Sequence, residues 1–170
     1  MTLRPVWLPE LICVDGDFQA VLGRLYNVFH RDFIETKPRL EAMEVWFDRT
    51  IKPGETYEDG FWHLVEREHV PGQPRSFDAR RAERLPWCKA SLTNCLDDRF
   101  VKFWKNKERN KVICYVWLEQ FDYVVILVER TLKARSNRPE RKVAFLKTAY
   151  YIDGESKRRS LRRKYSENMP

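Results

Sequence analysis

Two of the chain's three histidines lie within residues 61–69, FWHLVEREH, with Glu66 and Arg67 between them. An imidazole takes or gives a proton near neutral pH, and a guanidinium can hold a phosphate oxygen through paired hydrogen bonds. If residues 58–69 form a helix, Phe61, Trp62, Leu64 and Val65 gather on one side, and His63 and Arg67, four apart, lie together on the other. The pair fits acid–base and phosphate chemistry, and fits an ordinary exposed helix face as well. His69 projects nearer the apolar side, where it can cap the helix or pack beside Trp62. His30, next to Phe29 in an earlier segment, reads as structural.

Two other stretches carry groups of the same kind. In PRSFDARRAERLPW, Arg80, Arg81 and Arg84 fall within one and a half helical turns, and Trp87 follows. Arginines beside an aromatic ring suit a phosphate and a stacked base, or a salt-bridged helix with Asp78 and Glu83 as partners. In RKVAFLKTAYYI, strand alternation separates Lys147 and Tyr151 from Leu146, Thr148 and Tyr150. Thr148 and Tyr150 would then present two hydroxyls on one face, about 7 Å apart. Such a pair can hold a phosphate or donate to a developing negative charge. Beyond them, Lys157, Arg158, Arg159, Arg162 and Arg163 stud a basic helix opened by Gly154 and Ser156.

These groups need a scaffold, and the 170 residues fit one compact domain, with 43% hydrophobic and 14% aromatic residues available for a core. No apolar run approaches a membrane span and the N-terminus lacks a secretory pattern, so a cytoplasmic protein away from membranes is expected. Cys13, Cys88, Cys95 and Cys114 are widely spread and read as reduced thiols; a zinc site from Cys88, Cys95 and two histidines lacks a recognised spacing. The net charge of +7 is uneven: residues 1–60 carry seven Lys/Arg against eleven Asp/Glu, residues 130–165 thirteen against three. A polyanion, most simply nucleic acid, is the natural partner of so concentrated a field, although a solvated basic tail has the same composition.

Hydrophobic periodicity predicts a first helix over DGDFQAVLGRLYNVFHRDFIE, capped by Asp15 or Asp17, and a short strand at Val45–Trp46–Phe47. Pro53-Gly54 marks a loop and the one plausible subdomain boundary. After the 58–69 helix and a second helix bent by Pro86, four β-branched or aromatic runs follow: RFVKFWK, KVICYVWLEQ, DYVVILVERT and RKVAFLKTAYYI. Short connections make them an antiparallel meander. The expected fold is α+β, with N-terminal helices on one face of a four-stranded antiparallel sheet, a C-terminal basic helix, and the other face free for a ligand.

The helix FWHLVEREH, an arginine-bearing helix, and a meander whose last strand ends FLKTAYYI together resemble the barnase–EndoU–colicin–RelE superfamily of ribonucleases, in its phage-associated and polymorphic-toxin branches. The matching residues are His63, Leu64, Arg67 and His69, then Thr148, Ala149 and Tyr150, and the resemblance spans roughly residues 57–165. It implies a nuclease core over residues 57–170; residues 1–56, outside the resemblance, read as an α/β extension packed on it. The resemblance also implies cleavage of RNA by attack of the 2′-hydroxyl on the adjacent phosphodiester, leaving a cyclic phosphate, with no metal and no cofactor. His63 would be general base or acid. Arg67 and Lys147 would stabilise phosphate charge, and Thr148 and Tyr150 would bind phosphate or donate a proton. His69, Arg80, Arg81, Arg84, Trp87 and the basic residues of the last helix would hold RNA, and an antitoxin or immunity protein would be a further partner.

Two other readings use the same residues. A non-catalytic nucleic-acid-binding module needs the cations and aromatics but not His63. An interaction protein, such as an immunity protein, antitoxin or phage accessory, would use the acidic N-terminal part.

Overall fold

A computed structural model describes residues 3–168. Asp17 caps α1 (Phe18–Phe29) by accepting from the Ala20 amide at 3.0 Å, and Val21, Leu22, Leu25 and Phe29 form its buried stripe. A turn of π-helix (His30–Glu35) leads to two short strands, β1 (Arg39–Leu40) and β2 (Met43–Trp46). Helix α2 (Asp59–Val65) and the two-residue strands β3 (Glu66–Arg67) and β4 (Ser76–Phe77) follow. The segment read as one bent helix is two, α3 (Ala79–Ala82) and α4 (Leu85–Thr93), with Pro86 in the first turn of α4, where its missing N–H costs nothing.

The four strands expected from the pattern are β5 (Lys102–Glu108), β6 (Lys111–Leu118), β7 (Tyr123–Leu132) and β8 (Arg141–Tyr151), and α5 (Glu155–Glu167) ends the described chain. The fold is α+β, but the sheet has six strands rather than four and is mixed rather than antiparallel, in the order β1-β2-β8-β7-β6-β5. The added strand β2 runs parallel to β8, pairing Glu44, Val45 and Trp46 with Val143, Ala144 and Phe145. Two strands totalling six residues are too short to show alternation, which is why the pattern alone misses their place in the sheet.

Both sheet faces are covered. Cys114, Val116 and Leu118 of β6 bury against α1, α2 and α4, while Ile113, Tyr115 and Trp117 join a second core with Leu161 and Tyr165 of α5. Coverage on both sides explains why β6 reads as an almost unbroken apolar run. The face expected to be free is thus partly closed by α5. Leu8, Val21, Leu40 and Val45 share the first core with Leu127 and Leu146. Among the described residues no helix is long and apolar enough to cross a membrane.

Candidate functional site

Because β2 pairs only as far as Phe145, residues 146–151 of β8 have no strand beside them on that edge. A cleft of about 630 Å³ opens there, between β8, the end of α2, the β3–β4 hairpin and the start of α5. Nine of the residues singled out from the sequence line it: His63, Arg67, His69, Arg80, Arg81, Lys147, Thr148, Tyr150 and Lys157.

The hydroxyl-bearing wall depends on an irregularity of β8. Leu146 pairs with Leu127 and Thr148 with Ile126, so Lys147 is left over as a β-bulge. Bulges bend a strand and re-aim its side chains. Here Leu146 and Ala149, three apart, both enter the helix-side core. Simple alternation puts Leu146 with Thr148 and Tyr150; the bulge instead leaves those two hydroxyls off the core face, with an exposed Lys147 beside them.

The histidine-bearing wall also differs from a single helix face. Helix α2 stops at Val65, and Glu66 is extended at φ −120° and ψ 156°. Arg67 therefore lies on β3, opposite Ser76, and not one helical turn above His63. The two still share the cleft because the chain turns along its rim. What holds this turn is Arg81. Its Nη1 donates to the carbonyls of His63 (3.1 Å) and Glu66 (2.7 Å) and lies 3.5 Å from Thr148 Oγ1. Its guanidinium also sits 5.5 Å from the Tyr150 ring centroid. Arg81, expected on RNA, is instead the clamp that joins the two walls. Gly60 sets the other end of α2: its N–H donates to the Asp48 carbonyl at 2.9 Å, and a Cβ there would stand 2.9 Å from Phe47 Cδ2.

His63 is 29% exposed, with Nε2 3.7 Å from Asp59 Oδ2. Burial first, and then the positive charge of Arg75, lowers its pKa below the ordinary value of 6.5, against the opposing pull of Asp59. The imidazole is thus neutral at pH 7 and able to accept a proton. Burial, followed by the neighbouring Tyr115, pushes the Tyr150 phenol up, so its O–H remains a donor. Arg67 Nε donates to His69 Nδ1 at 3.0 Å and lies 3.5 Å from Asp78 Oδ2, while its Nη1 is 3.5 Å from Asp153 Oδ2. Asp153 also accepts from Lys157 Nζ at 2.8 Å, and that bond, with Arg67 after it, holds its carboxyl below the usual range.

Against these tied cations stand others facing the cleft. Arg75, Arg80 and Lys147 have no carboxylate oxygen within 4 Å among the described residues. Arg80 rests 5.3 Å from the Tyr151 ring. Arg75 escaped the sequence reading because the loop between β3 and β4 has no periodicity to place it; its one signal is proximity to the 76–87 arginines. The acids Asp48, Glu68 and Asp153 in the lining escaped it too, while Asp78, expected as a helix cap or arginine partner, caps α3 by accepting from the Arg81 amide at 3.1 Å.

Several expected RNA contacts are committed elsewhere. Trp87 is 4% exposed and donates from Nε1 to the Pro9 carbonyl at 2.8 Å, so it is a core residue and no base can stack on it. Arg84 is wedged between the rings of Trp87 (5.3 Å) and Tyr151 (4.4 Å) and pairs with Glu83. Arg158 grips Asp122 through bonds of 2.6 and 3.0 Å, and Arg162 reaches Glu119 at 2.8 Å. Both fasten α5 to the sheet. Arg159 and Arg163 are exposed on α5 and do not line the cleft. His30 stands 3.1 Å from Glu35 on the surface. Cys88, Cys95 and Cys114 are free and buried, with thiols pushed up by burial; Cys13 is free and exposed.

Comparison with family models, with curated proteins and with solved structures finds no significant match to this chain.

Proposed function

We propose that this chain is a metal-independent, toxin-like endoribonuclease whose reaction centre is the cleft at the free edge of β8. The observation that carries the reading is the convergence on one hollow of a neutral imidazole, two hydroxyls and cations without carboxylate partners. Cleavage of a phosphodiester by its own 2′-hydroxyl needs a proton acceptor, charge stabilisation on the phosphoryl oxygens, and a proton for the departing 5′-oxygen.

His63, unprotonated at neutral pH, takes the proton from the 2′-hydroxyl. The 2′-oxygen bonds to phosphorus and the bond from phosphorus to the 5′-oxygen breaks. The Tyr150 phenol gives that oxygen its proton and is reprotonated from the His63 imidazolium through solvent, and a 2′,3′-cyclic phosphate and a 5′-hydroxyl result. Lys147, with Arg75 and Arg67, faces the charge that grows on the non-bridging oxygens. Thr148 and Tyr150 donate hydrogen bonds to the same phosphoryl group. Arg80 and Lys157 extend the positive lining along the strand entering or leaving. In this scheme the proton taken from the 2′-hydroxyl and the proton given to the 5′-oxygen are both handled by the chain's own side chains.

A non-catalytic RNA-binding module is the second reading, and the engagement of Arg67 by Asp78, Asp153 and His69 favours it, since a transition-state cation must be free to reach its phosphate. The two separate on the products. Purified chain is incubated in EDTA with RNA and with DNA of the same sequence, and the ends are analysed. Cyclic-phosphate ends on RNA and intact DNA are expected. Cut DNA, or cleavage abolished by EDTA, would sink the mechanism; tight, salt-sensitive binding without cleavage gives the second reading.

A further inference from the structure

A second basic hollow lies at the tip of the β7–β8 hairpin. It encloses about 710 Å³ and is lined by Trp46 together with Lys133, Arg135, Arg138 and Arg141. Trp46 is 40% exposed, at the end of β2, and its Nε1 donates to Glu44 Oε2 at 3.1 Å, which fixes the plane of the indole. None of the four cations has a carboxylate oxygen within 4 Å among the described residues. Two acids lie near, Glu140, which precedes Arg141 in the chain, and Glu44. The Trp46 hydrogen bond first, and then the charges of Arg141, Arg39 and Arg138, keep Glu44 ionised.

Two details speak against a merely solvated turn. Arg135 and Arg138 exchange both backbone hydrogen bonds, each 2.9 Å, around Ser136 and Asn137, so two like charges face each other across the tightest part of the hairpin. Like charges directly opposite on paired strands destabilise the pair. Arg141, at the foot of the hairpin, has a buried Nε without an acceptor among the described residues. The repulsion between Arg135 and Arg138 is relieved by an anion between the guanidinium groups, and a flat exposed indole beside them is a surface for a planar, uncharged group. One ligand offers both in alternation: single-stranded nucleic acid, with phosphates and stackable bases.

The hollow is also aligned with the cleft. Trp46 pairs with Phe145 across β2 and β8. Phe145 lines the cleft, and the guanidinium of Arg130 lies 3.5 Å from its ring centroid. Arg141 and Lys147 stand on the same strand, about 20 Å apart at the rise of an extended chain. We propose that the hairpin-tip hollow is a second subsite for single-stranded RNA. A base stacks on Trp46, its phosphates lie against Arg135, Arg138 and Arg141, and the strand runs over Phe145 and Arg130 into the cleft. This rests on the ribonuclease reading for the identity of the strand, but it is a statement about binding and is read apart from cleavage.

The probe is a dye-labelled 2′-O-methyl RNA of about a dozen nucleotides, long enough to cover both hollows, titrated with the full chain over a salt series and followed by anisotropy. The methyl ether removes the nucleophile, so binding is measured whether or not the chain cleaves, and failure here is distinct from failure of the ribonuclease reading. Trp46→Ala is expected to weaken binding about tenfold, the loss of one stacked base, and Trp46→Phe to recover most of it. Arg135→Ala combined with Arg138→Ala is expected to flatten the logarithmic salt dependence by about 0.7 for each phosphate that is no longer neutralised. Unchanged affinity in Trp46→Ala and in the double variant overturns the proposal, and so does no binding by the unaltered chain at low salt. Polyglutamate competing as well as RNA, with Trp46→Ala without effect, also overturns it and assigns the patch to an acidic protein.

Discussion

The C-terminal helix and the β8 cleft are both rich in arginine and lysine, yet they use them in opposite ways. In α5, Arg158 is bound to Asp122, Arg162 to Glu119 and Glu155, and Lys164 bonds Tyr115 at 3.0 Å and stands 3.5 Å from Glu108. The pairs to Asp122, Glu119, Tyr115 and Glu108, outside the helix, attach it over the second core. At the cleft, Arg75, Arg80 and Lys147 face an open hollow with no carboxylate within 4 Å among the described residues. Density of positive charge therefore does not locate an anion site. Charge left unpaired beside a cavity does, because only there is the field not already answered by the chain itself.

That contrast is sharpened most by Lys147. In the proposed reaction, Lys147→Ala lowers the cleavage rate by about 10²–10³, the usual effect of removing one stabilising donor, with the melting temperature little changed. Arg81→Ala should act through the fold instead. Two backbone carbonyls lose their donor, a destabilisation of about 3 kcal/mol, visible as a melting temperature lower by roughly 10 °C, with activity falling because the walls separate. Gly60→Ala pushes α2 off Phe47 and Asp48, and a loss of about 2 kcal/mol in denaturant unfolding is expected. A smaller effect follows from His63. Its folded pKa lies below the unfolded value, so the unfolded chain binds the proton more readily. Stability contributed by neutral His63 is full above about pH 6.5 and declines as pH falls toward the folded value. Unfolding of His63→Gln across that window should lack this part of the slope. The least effect belongs to Arg162→Ala, half-exposed on α5, whose loss should leave cleavage within about threefold of the unaltered chain, as for most surface ion pairs.

Much of the architecture could be read from residue order. The stripe of α1 and the four long strands stand where periodicity places them, because each is long enough for its pattern to repeat. The features that build the cleft are shorter than any period. β2 joins β8 through three residue pairs, β3–β4 through two, and the bulge at Lys147 is a single residue. Residue type could nominate His63, Arg67, Lys147, Thr148 and Tyr150, because their chemistry is local. It could not distinguish Arg81, bound to carbonyls across the fold, from Arg80 beside it, nor see that Trp87 turns inward, since both depend on neighbours far away in the chain. Arg75 is hidden because its loop between β3 and β4 has no periodicity to place it.

The most direct test of the account compares cleavage rates of one RNA in EDTA by the unaltered chain, His63→Ala and Arg162→Ala. A rate lower by about 10²–10⁴ in His63→Ala, with Arg162→Ala near the unaltered rate, is the predicted result. Cleavage retained in His63→Ala and lost in a folded Arg162→Ala would place the reaction on α5 and contradict the account.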